Sequence, residues 1–97
     1  MKVGLCRMVL ILPHSQSLKD KRSVLSSVTH RVHNKFNVSI AEIEANDRWQ
    51  RAVLGISCVS NSSSHVREML MRVARFIEAG EGDYEVSEYA VEVLPVF

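Results

Sequence analysis

Residues 2–36, KVGLCRMVLILPHSQSLKDKRSVLSSVTHRVHNKF, read as a β-strand followed directly by an amphipathic α-helix. Alternating side chains predict the strand from Lys2 to Leu12, and Pro13 ends it because proline cannot donate a ladder hydrogen bond. Ser17 is the predicted N-cap of the helix, with Asp20 three residues later as in a capping box. The helix then buries one apolar stripe, formed by Leu18, Leu25, Val28, Val32 and Phe36.

The remaining residues contain two strands, a second helix and a last strand. Asn37–Glu44 alternates and predicts the second strand, whereas Trp49–Ser60 is apolar on both faces, which is typical of a central strand. A serine-rich loop at residues 60–64 opens a second helix that extends to about Ala79. Tyr84–Leu94 is the last predicted strand. The buried stripe of the second helix is predicted to be Val66, Met69, Leu70, Val73, Phe76 and Ile77.

The resulting order is β-α-β-β-α-β, and this order favours one fold. Each strand–helix–strand unit requires a right-handed crossover, and a hairpin joins the two central strands of the sequence. We therefore predict an α+β, ferredoxin-like sandwich, in which a four-stranded antiparallel sheet carries both helices on one face. Residues 1–97 form a single domain, because a second hydrophobic core does not fit in a chain of 97 residues.

The composition is that of an ordinary soluble domain, but its charge is unevenly distributed. Hydrophobic residues are 46% and charged residues 24% of the chain, and the net charge is +1. The longest apolar stretch, Met8–Pro13, is far shorter than the ~20 residues of a membrane helix. We therefore expect a cytoplasmic protein without a membrane partner. Residues 1–35 carry seven Lys or Arg and one acid, whereas residues 36–97 carry five bases and ten acids.

No group of residues predicts catalysis, a metal site or a cofactor site. The loop at residues 13–17 lacks the glycines and the arginine of a phosphate-binding loop, and it lacks the Cys-x-x-Cys of a metal chaperone. Cys6 and Cys58 lie within strands, where a buried thiol is expected. His30 and His33 have no third zinc ligand at a suitable spacing. We therefore predict that the protein is not an enzyme, binds no cofactor and has no small-molecule substrate.

Binding of RNA is the first of two hypotheses about function. The first and third strands carry no Phe or Tyr, so stacking of bases on the sheet, as in RNA-recognition motifs, is not expected. The first helix instead carries bases with a single acid, which favours contacts to a phosphate backbone; the alternative is an ordinary solvated helix face. The candidate RNA-binding residues are Lys19, Lys21, Arg22, Arg31 and Lys35, with Arg48 and Arg51 outside the helix.

Self-association is the second hypothesis. If the alternate residues Gly4, Cys6 and Met8 face the helices, the intervening side chains of the first strand lie on the open face of the sheet. An apolar area of this kind is usually covered in a small protein. A homodimer, formed through this face or through a strand edge, is the simplest cover. The candidate interface residues are Val3, Leu5, Arg7, Val9 and Ile11.

Several short motifs in a fixed order carry a resemblance to a known family. They are SLKDKR at residues 17–22, FNVSIAE at 36–42, WQRAVLG at 49–55 and VSN at 59–61. With these motifs the chain resembles the YlxP-like family of bacterial domains of unknown function (DUF503). It departs from the family at Asp20, where glutamate is more common, and at Val9 and Ile11, which replace more polar residues.

The resemblance implies a ferredoxin-like fold and a bacterial cytoplasmic protein, and it supplies no activity. Family members are often encoded beside translation initiation factor 2 and ribosome-binding factor A. This association implies RNA or a ribosomal subunit as the partner, in agreement with the basic first helix. We therefore put forward a non-enzymatic RNA- or ribosome-associated binding protein, with a homo-oligomeric interaction module as the alternative.

Overall fold

The computed structural model describes all 97 residues as six elements in the predicted order. The strands are β1 (Lys2–Ile11), β2 (Ser39–Glu44), β3 (Arg51–Ser60) and β4 (Glu85–Pro95), and the helices are α1 (Leu18–Lys35) and α2 (Ser63–Ala79). Every strand pair is antiparallel, and the order of strands across the sheet is β2-β3-β1-β4. The predicted α+β fold with the order β-α-β-β-α-β is confirmed.

The start of α1 follows the capping chemistry that its sequence predicts. The Ser17 hydroxyl accepts a hydrogen bond from the Asp20 backbone N–H at 3.0 Å, as an N-cap side chain does. The Asp20 carboxylate accepts from the backbone N–H of Gln16 at 2.9 Å, one residue ahead of the cap. Together these bonds fix the direction in which the chain enters the helix.

The hydrophobic core lies between the helices and one face of the sheet. Phe36, which directly follows α1, packs edge-to-face on Phe76 of α2 with ring centroids 5.4 Å apart. Met69 and Phe76 of the predicted α2 stripe are only half-buried, because they lie at its margin. Neither helix has the length and apolarity that a membrane crossing requires. The strands contribute Cys6, Met8, Leu10, Ala52, Leu54 and Ile56 to the core, and the helices contribute Leu25, Val28, Val32, Val66, Leu70, Val73, Ala74 and Ile77.

A β-bulge in β2 divides two glutamates between the faces of the sheet. The register shifts between Glu42 and Glu44, so Ile43 is the additional residue. Without the bulge both glutamates would lie on one face, since strand side chains alternate with a period of two residues. Here Glu42 forms an ion pair with Lys21 of α1, whereas Glu44 forms one with Arg7 on the open face.

Candidate functional site

The structure corrects the prediction that Lys21 contacts RNA. Its side chain is 1% exposed and its ammonium lies 2.7 Å from Oε2 of Glu42. The same ammonium donates to the backbone carbonyls of Ala45 at 2.8 Å and of Arg51 at 3.3 Å. It also donates to the carbonyl of Asn46 at 3.4 Å, and all four of its partners belong to the β2–β3 hairpin. Lys21 is therefore a buried structural group, and no phosphate can reach it.

The loop between β2 and β3, residues 45–50, is fixed beside the beginning of α1. Lys21 of α1 donates to the Ala45 carbonyl of the loop. The Gln50 amide donates to the carbonyls of Ser15 at 3.1 Å and Pro13 at 3.4 Å. Because these contacts join the loop to the segment that leads into α1, the first turns of the helix and the hairpin loop share one end of the molecule. We call this region the loop end; its basic side chains are Lys19, Arg22, Arg48 and Arg51.

The four basic residues of the loop end are accessible to different degrees. Lys19, Arg22 and Arg48 are exposed, and Arg51 is partly exposed at the start of β3. None of the four lies within 4.0 Å of a carboxylate, since the structure contains only the Arg7–Glu44 and Lys21–Glu42 ion pairs. Their charges are therefore available to a ligand.

The two remaining candidates lie farther along α1, in different surroundings. Arg31 is half-buried beside the turn after α2. The Arg31 guanidinium would lie 3.1 Å from a Cβ atom built on Gly80. Lys35 is exposed, and its ammonium is 5.0 Å from the centroid of the Phe76 ring. Sixteen residues of helix, about 24 Å at 1.5 Å per residue, separate Lys35 from Lys19. The predicted basic residues therefore form two groups rather than one continuous face.

Arg72 of α2 is a basic residue that the sequence analysis did not single out. Its guanidinium carbon lies 5.8 Å from the Phe36 ring centroid, beside the ring pair on which Lys35 also packs. The spacing of Arg72 and Phe76 could have indicated that Arg72 lies beside an aromatic ring, because residues four apart in a helix are neighbours on its surface. Lys35 and Arg72, with the rings of Phe36 and Phe76, therefore form a basic group on the helix layer, apart from the loop end.

Charge is segregated between the helices and the last strand. Apart from Lys21, α1 and α2 carry seven Lys or Arg and three acids. Residues 80–97, which include β4, carry five acids and no base. A polyanion is therefore attracted to the helix layer and repelled from the β4 edge of the sheet.

The open face of the sheet carries an apolar patch, which includes some of the predicted interface residues. Leu5 is exposed, Val3 and Ile11 are partly exposed, and β3 adds Val59, which is 64% exposed. The prediction is wrong for Val9, which is 3% exposed and pairs in register with the fully buried Val53. The exposed members of the patch are Leu5, Ile43, Val59 and Leu94.

A groove of about 460 Å³ runs beside this patch, and an ion pair borders it. Its walls include Leu5, Ala41 and Ile43, and Gly55 is part of its floor. At one side the Arg7 guanidinium binds both carboxylate oxygens of Glu44, at 3.2 and 3.0 Å. These hydrogen bonds lower the pKa of Glu44 and raise that of Arg7, so the pair stays ionised at neutral pH.

The cysteines do not form a reactive site. Both thiols are unpaired; Cys6 is buried and Cys58 is half-buried. Burial raises the pKa of Cys6 to about 11 and also raises the pKa of Cys58, so both are thiols rather than thiolates at neutral pH. No three His, Cys, Asp or Glu side chains come together in a geometry suited to a metal ion.

Comparison with known proteins places this chain in a family. Residues 3–91 match the sequence profile of the family described as "Protein of unknown function (DUF503)". The chain is also 44% identical over 77 residues to "Uncharacterized protein YlxP" of Bacillus subtilis (strain 168), a match that covers 79% of this chain and 84% of the relative. The matched region includes β1, both helices, the hairpin loop and most of β4, and the chain therefore belongs to the YlxP-like DUF503 family.

Proposed function

We propose that this protein binds the phosphate backbone of RNA, including ribosomal RNA, through the basic side chains of the loop end. The observation that carries the proposal is the exposure of Lys19, Arg22 and Arg48 without any carboxylate partner. Each such cation that neutralises a phosphate releases condensed counterions, which favours binding without reading the base sequence.

The location of Lys19 and Arg22 supports a role in binding rather than in stability. Lys19 is the second residue of α1, in the first turn, where the helix dipole disfavours a cation by about 0.3–1 kcal/mol at low salt; Arg22 is the fifth residue, where this effect is weaker. The one acid of the first turn, Asp20, is bonded to the Gln16 backbone, and neither base pairs with it within 4.0 Å. An anionic ligand removes this electrostatic disadvantage.

The test is the double variant Lys19→Gln, Arg22→Gln, with Lys21 left in place. We expect binding to a fluorescently labelled ribosomal RNA fragment to weaken at low salt. The slope of log affinity against log salt should fall by about 1.4–1.8, which corresponds to two lost phosphate contacts. Fluorescence anisotropy over a series of salt concentrations measures both quantities.

The matched control removes the same charge from the other helix. Arg67 and Arg75 of α2 are exposed and lie outside the loop end, so Arg67→Gln, Arg75→Gln should change the salt slope much less. Equal losses in the two double variants would contradict a localised site and indicate general electrostatic attraction. Unchanged RNA binding in Lys19→Gln, Arg22→Gln would contradict the proposed function itself.

A second candidate function is self-association, and the exposed patch on the open face favours it. The occupant we propose is a second copy of this chain, packed face to face. Three strands about 33 Å long and one about 20 Å long, spaced about 4.8 Å apart, present roughly 600 Å² per copy, or about 1,200 Å² in total, the lower limit for a stable interface. Edge pairing is less favourable, because β2 is short and bulged and β4 is an acidic edge strand. Glu85, Glu88 and Glu92 of β4 are in register with Ile11, Val9 and Leu5, so they form the acidic margin of the open face.

The double variant Leu5→Glu, Val59→Glu tests the face-to-face dimer. Light scattering at tens of micromolar should give twice the 11.0 kDa chain mass for the unmodified protein and a single chain mass for the variant. Two new carboxylates in an apolar interface are costly to bury, which is why the dimer should dissociate. Ser26→Glu on the exposed side of α1 is the control, and dissociation by that change, or a monomer without any substitution, would contradict the dimer.

A further inference from the structure

Trp49 lies in the hairpin loop of the loop end. Its side chain is exposed and is not part of the hydrophobic core. The side chain is 54% exposed, and the indole N–H donates no hydrogen bond within the chain. It is the only tryptophan among 97 residues. A large aromatic side chain contributes much area when it is buried in a core or an interface, so the exposed ring leaves a stacking surface open to a ligand.

The loop that presents Trp49 is anchored by hydrogen bonds from the side chains of Lys21 and Gln50. The Lys21 ammonium bonds the carbonyls of Ala45 and Arg51 on either side of the loop. Ala45 adopts a left-handed backbone with φ of 61°, and its carbonyl also accepts from the Arg48 N–H at 3.0 Å. Gln50 ties the other side to the carbonyl of Ser15. Because the backbone is fixed, binding a ligand here does not require the loop to order first.

The surface around the indole is concave and basic. A depression of about 320 Å³ is lined by Asp47, Arg48, Trp49, Gln50 and Arg51. The Gln50 amide is already engaged with Pro13 and Ser15, and neither arginine has an ion-pair partner. What faces a ligand is therefore one aromatic ring, two guanidinium groups and the carboxylate of Asp47, which together carry a net charge of +1.

We propose that this depression binds one unpaired nucleotide of single-stranded RNA, with its base stacked on the Trp49 indole and its phosphate contacted by Arg48 or Arg51. The inference rests on the proposed function and specifies its ligand. Stacking on aromatic rings is how proteins hold single-stranded nucleic acids without sequence preference. In a duplex the faces of the bases are covered by their neighbours, so a paired strand offers nothing for the indole to stack on.

The experiment uses the single tryptophan as its own reporter. The probes are a ten-nucleotide RNA of mixed sequence that cannot self-pair, its blunt duplex, and an abasic oligomer with the same number of phosphates. We expect the single strand to quench the Trp49 emission at saturation. The duplex and the abasic oligomer should bind through their phosphates, at low salt, with little quenching.

Two variants at residue 49 separate stacking from charge. By anisotropy, Trp49→Ala should weaken single-strand binding by about 5- to 150-fold, the range for loss of one stacked base, while leaving binding of the abasic oligomer unchanged. Trp49→Phe should keep most of the affinity, since phenylalanine also stacks. Far-ultraviolet circular dichroism checks that both variants remain folded.

The outcomes distinguish this inference from the proposed function. Equal affinity of Trp49→Ala for the single strand and the abasic oligomer, together with preferential quenching of the unmodified protein by the single strand, supports stacking. Single-strand binding that is salt-dependent but insensitive to Trp49→Ala would overturn the stacking site and leave backbone binding intact. Absence of binding to any of the three probes at low salt would overturn both. A Trp49→Ala defect shared equally by the abasic oligomer would also overturn stacking.

Discussion

Lys21→Met is expected to lower the free energy of unfolding by about 3 kcal/mol. Methionine matches the length of the lysine stem but removes the ammonium, which leaves Glu42 without its cation and takes one donor from the carbonyls of Ala45 and Arg51. The Ala45 carbonyl keeps its hydrogen bond from the Arg48 N–H. Removing one partner of a buried ion pair costs about 3–5 kcal/mol, and the lower figure applies because the Glu42 side chain is still 21% exposed. Urea unfolding monitored by circular dichroism measures the change.

Variants of Glu42 test whether the cost arises from an uncompensated charge. Glu42→Gln alone should cost less than Lys21→Met, because the ammonium retains its carbonyl partners. Adding Glu42→Gln to Lys21→Met removes the buried unpaired charge and should recover part of the stability. Equal stability of Lys21→Met and the unmodified protein would contradict the buried position of the ammonium.

The same lysine links the fold to the proposed binding site. Because Lys21 fixes the loop that carries Arg48 and Trp49, its replacement should also weaken RNA binding, although no phosphate reaches it. A triple change of Lys19, Lys21 and Arg22 would therefore combine loss of contacts with loss of loop geometry. The double variant at Lys19 and Arg22 keeps these effects separate, since both side chains are exposed.

The fold was predictable because each element carries its own periodic signal. The alternation in β1 as far as Met8, the stripe of α1 from Leu25 onward and the two-sided apolarity of β3 agree with the observed burial, whereas Leu18 is only partly buried. Strand ends were less well determined: β2 begins at Ser39 rather than Asn37, and β3 at Arg51 rather than Trp49. These ends depend on which backbone groups find a partner across the sheet, and sequence periodicity carries no information about that pairing.

The candidate site was only partly predictable, and Lys21 shows why. It lies four residues before Leu25 and seven before Val28, on the buried stripe of α1, so helical spacing already placed it facing inward. Its charge argued for the surface, and the partner that permits burial, Glu42, is 21 residues away in the sequence. Glu42 in turn faces Lys21 only because of the bulge at Ile43, which alternation does not reveal.

Val9 and Trp49 both show that the pattern of one strand does not determine how exposed a side chain is. The alternation of β1 correctly assigns Val9 to the open face. It does not show that Val9 is buried there, beside Val53. Trp49 read as the edge of a strand, whereas the structure places it in a loop held by Gln50 and Lys21. In each case side chains from other elements determine the exposure of the residue, and the sequence pattern of one strand gives no information about those side chains.

Gly4→Ala is expected to destabilise the fold by about 1–3 kcal/mol, because β1 and α2 approach closely at this position. A Cβ atom at Gly4 would overlap the Val66 side chain and lie 2.7 Å from Cδ1 of Leu70. Both side chains are fully buried and have no free volume into which to move. Elsewhere in a strand the same substitution should stabilise by about 0.5–1 kcal/mol, so a loss here measures the clash.

Gly55→Ala on the opposite face of the sheet is the matched control. Its Cβ would lie 2.9 Å from Cγ2 of Ile43, but Ile43 is half-exposed and can turn toward solvent, so we expect a change near zero in the free energy of unfolding. Adding Val66→Ala to Gly4→Ala should relieve one of the two overlaps and restore stability relative to Val66→Ala alone. Equal effects of Gly4→Ala and Gly55→Ala in urea unfolding would contradict the asymmetry that we derive between the helix-covered and open faces, and with it the availability of the open face to a partner.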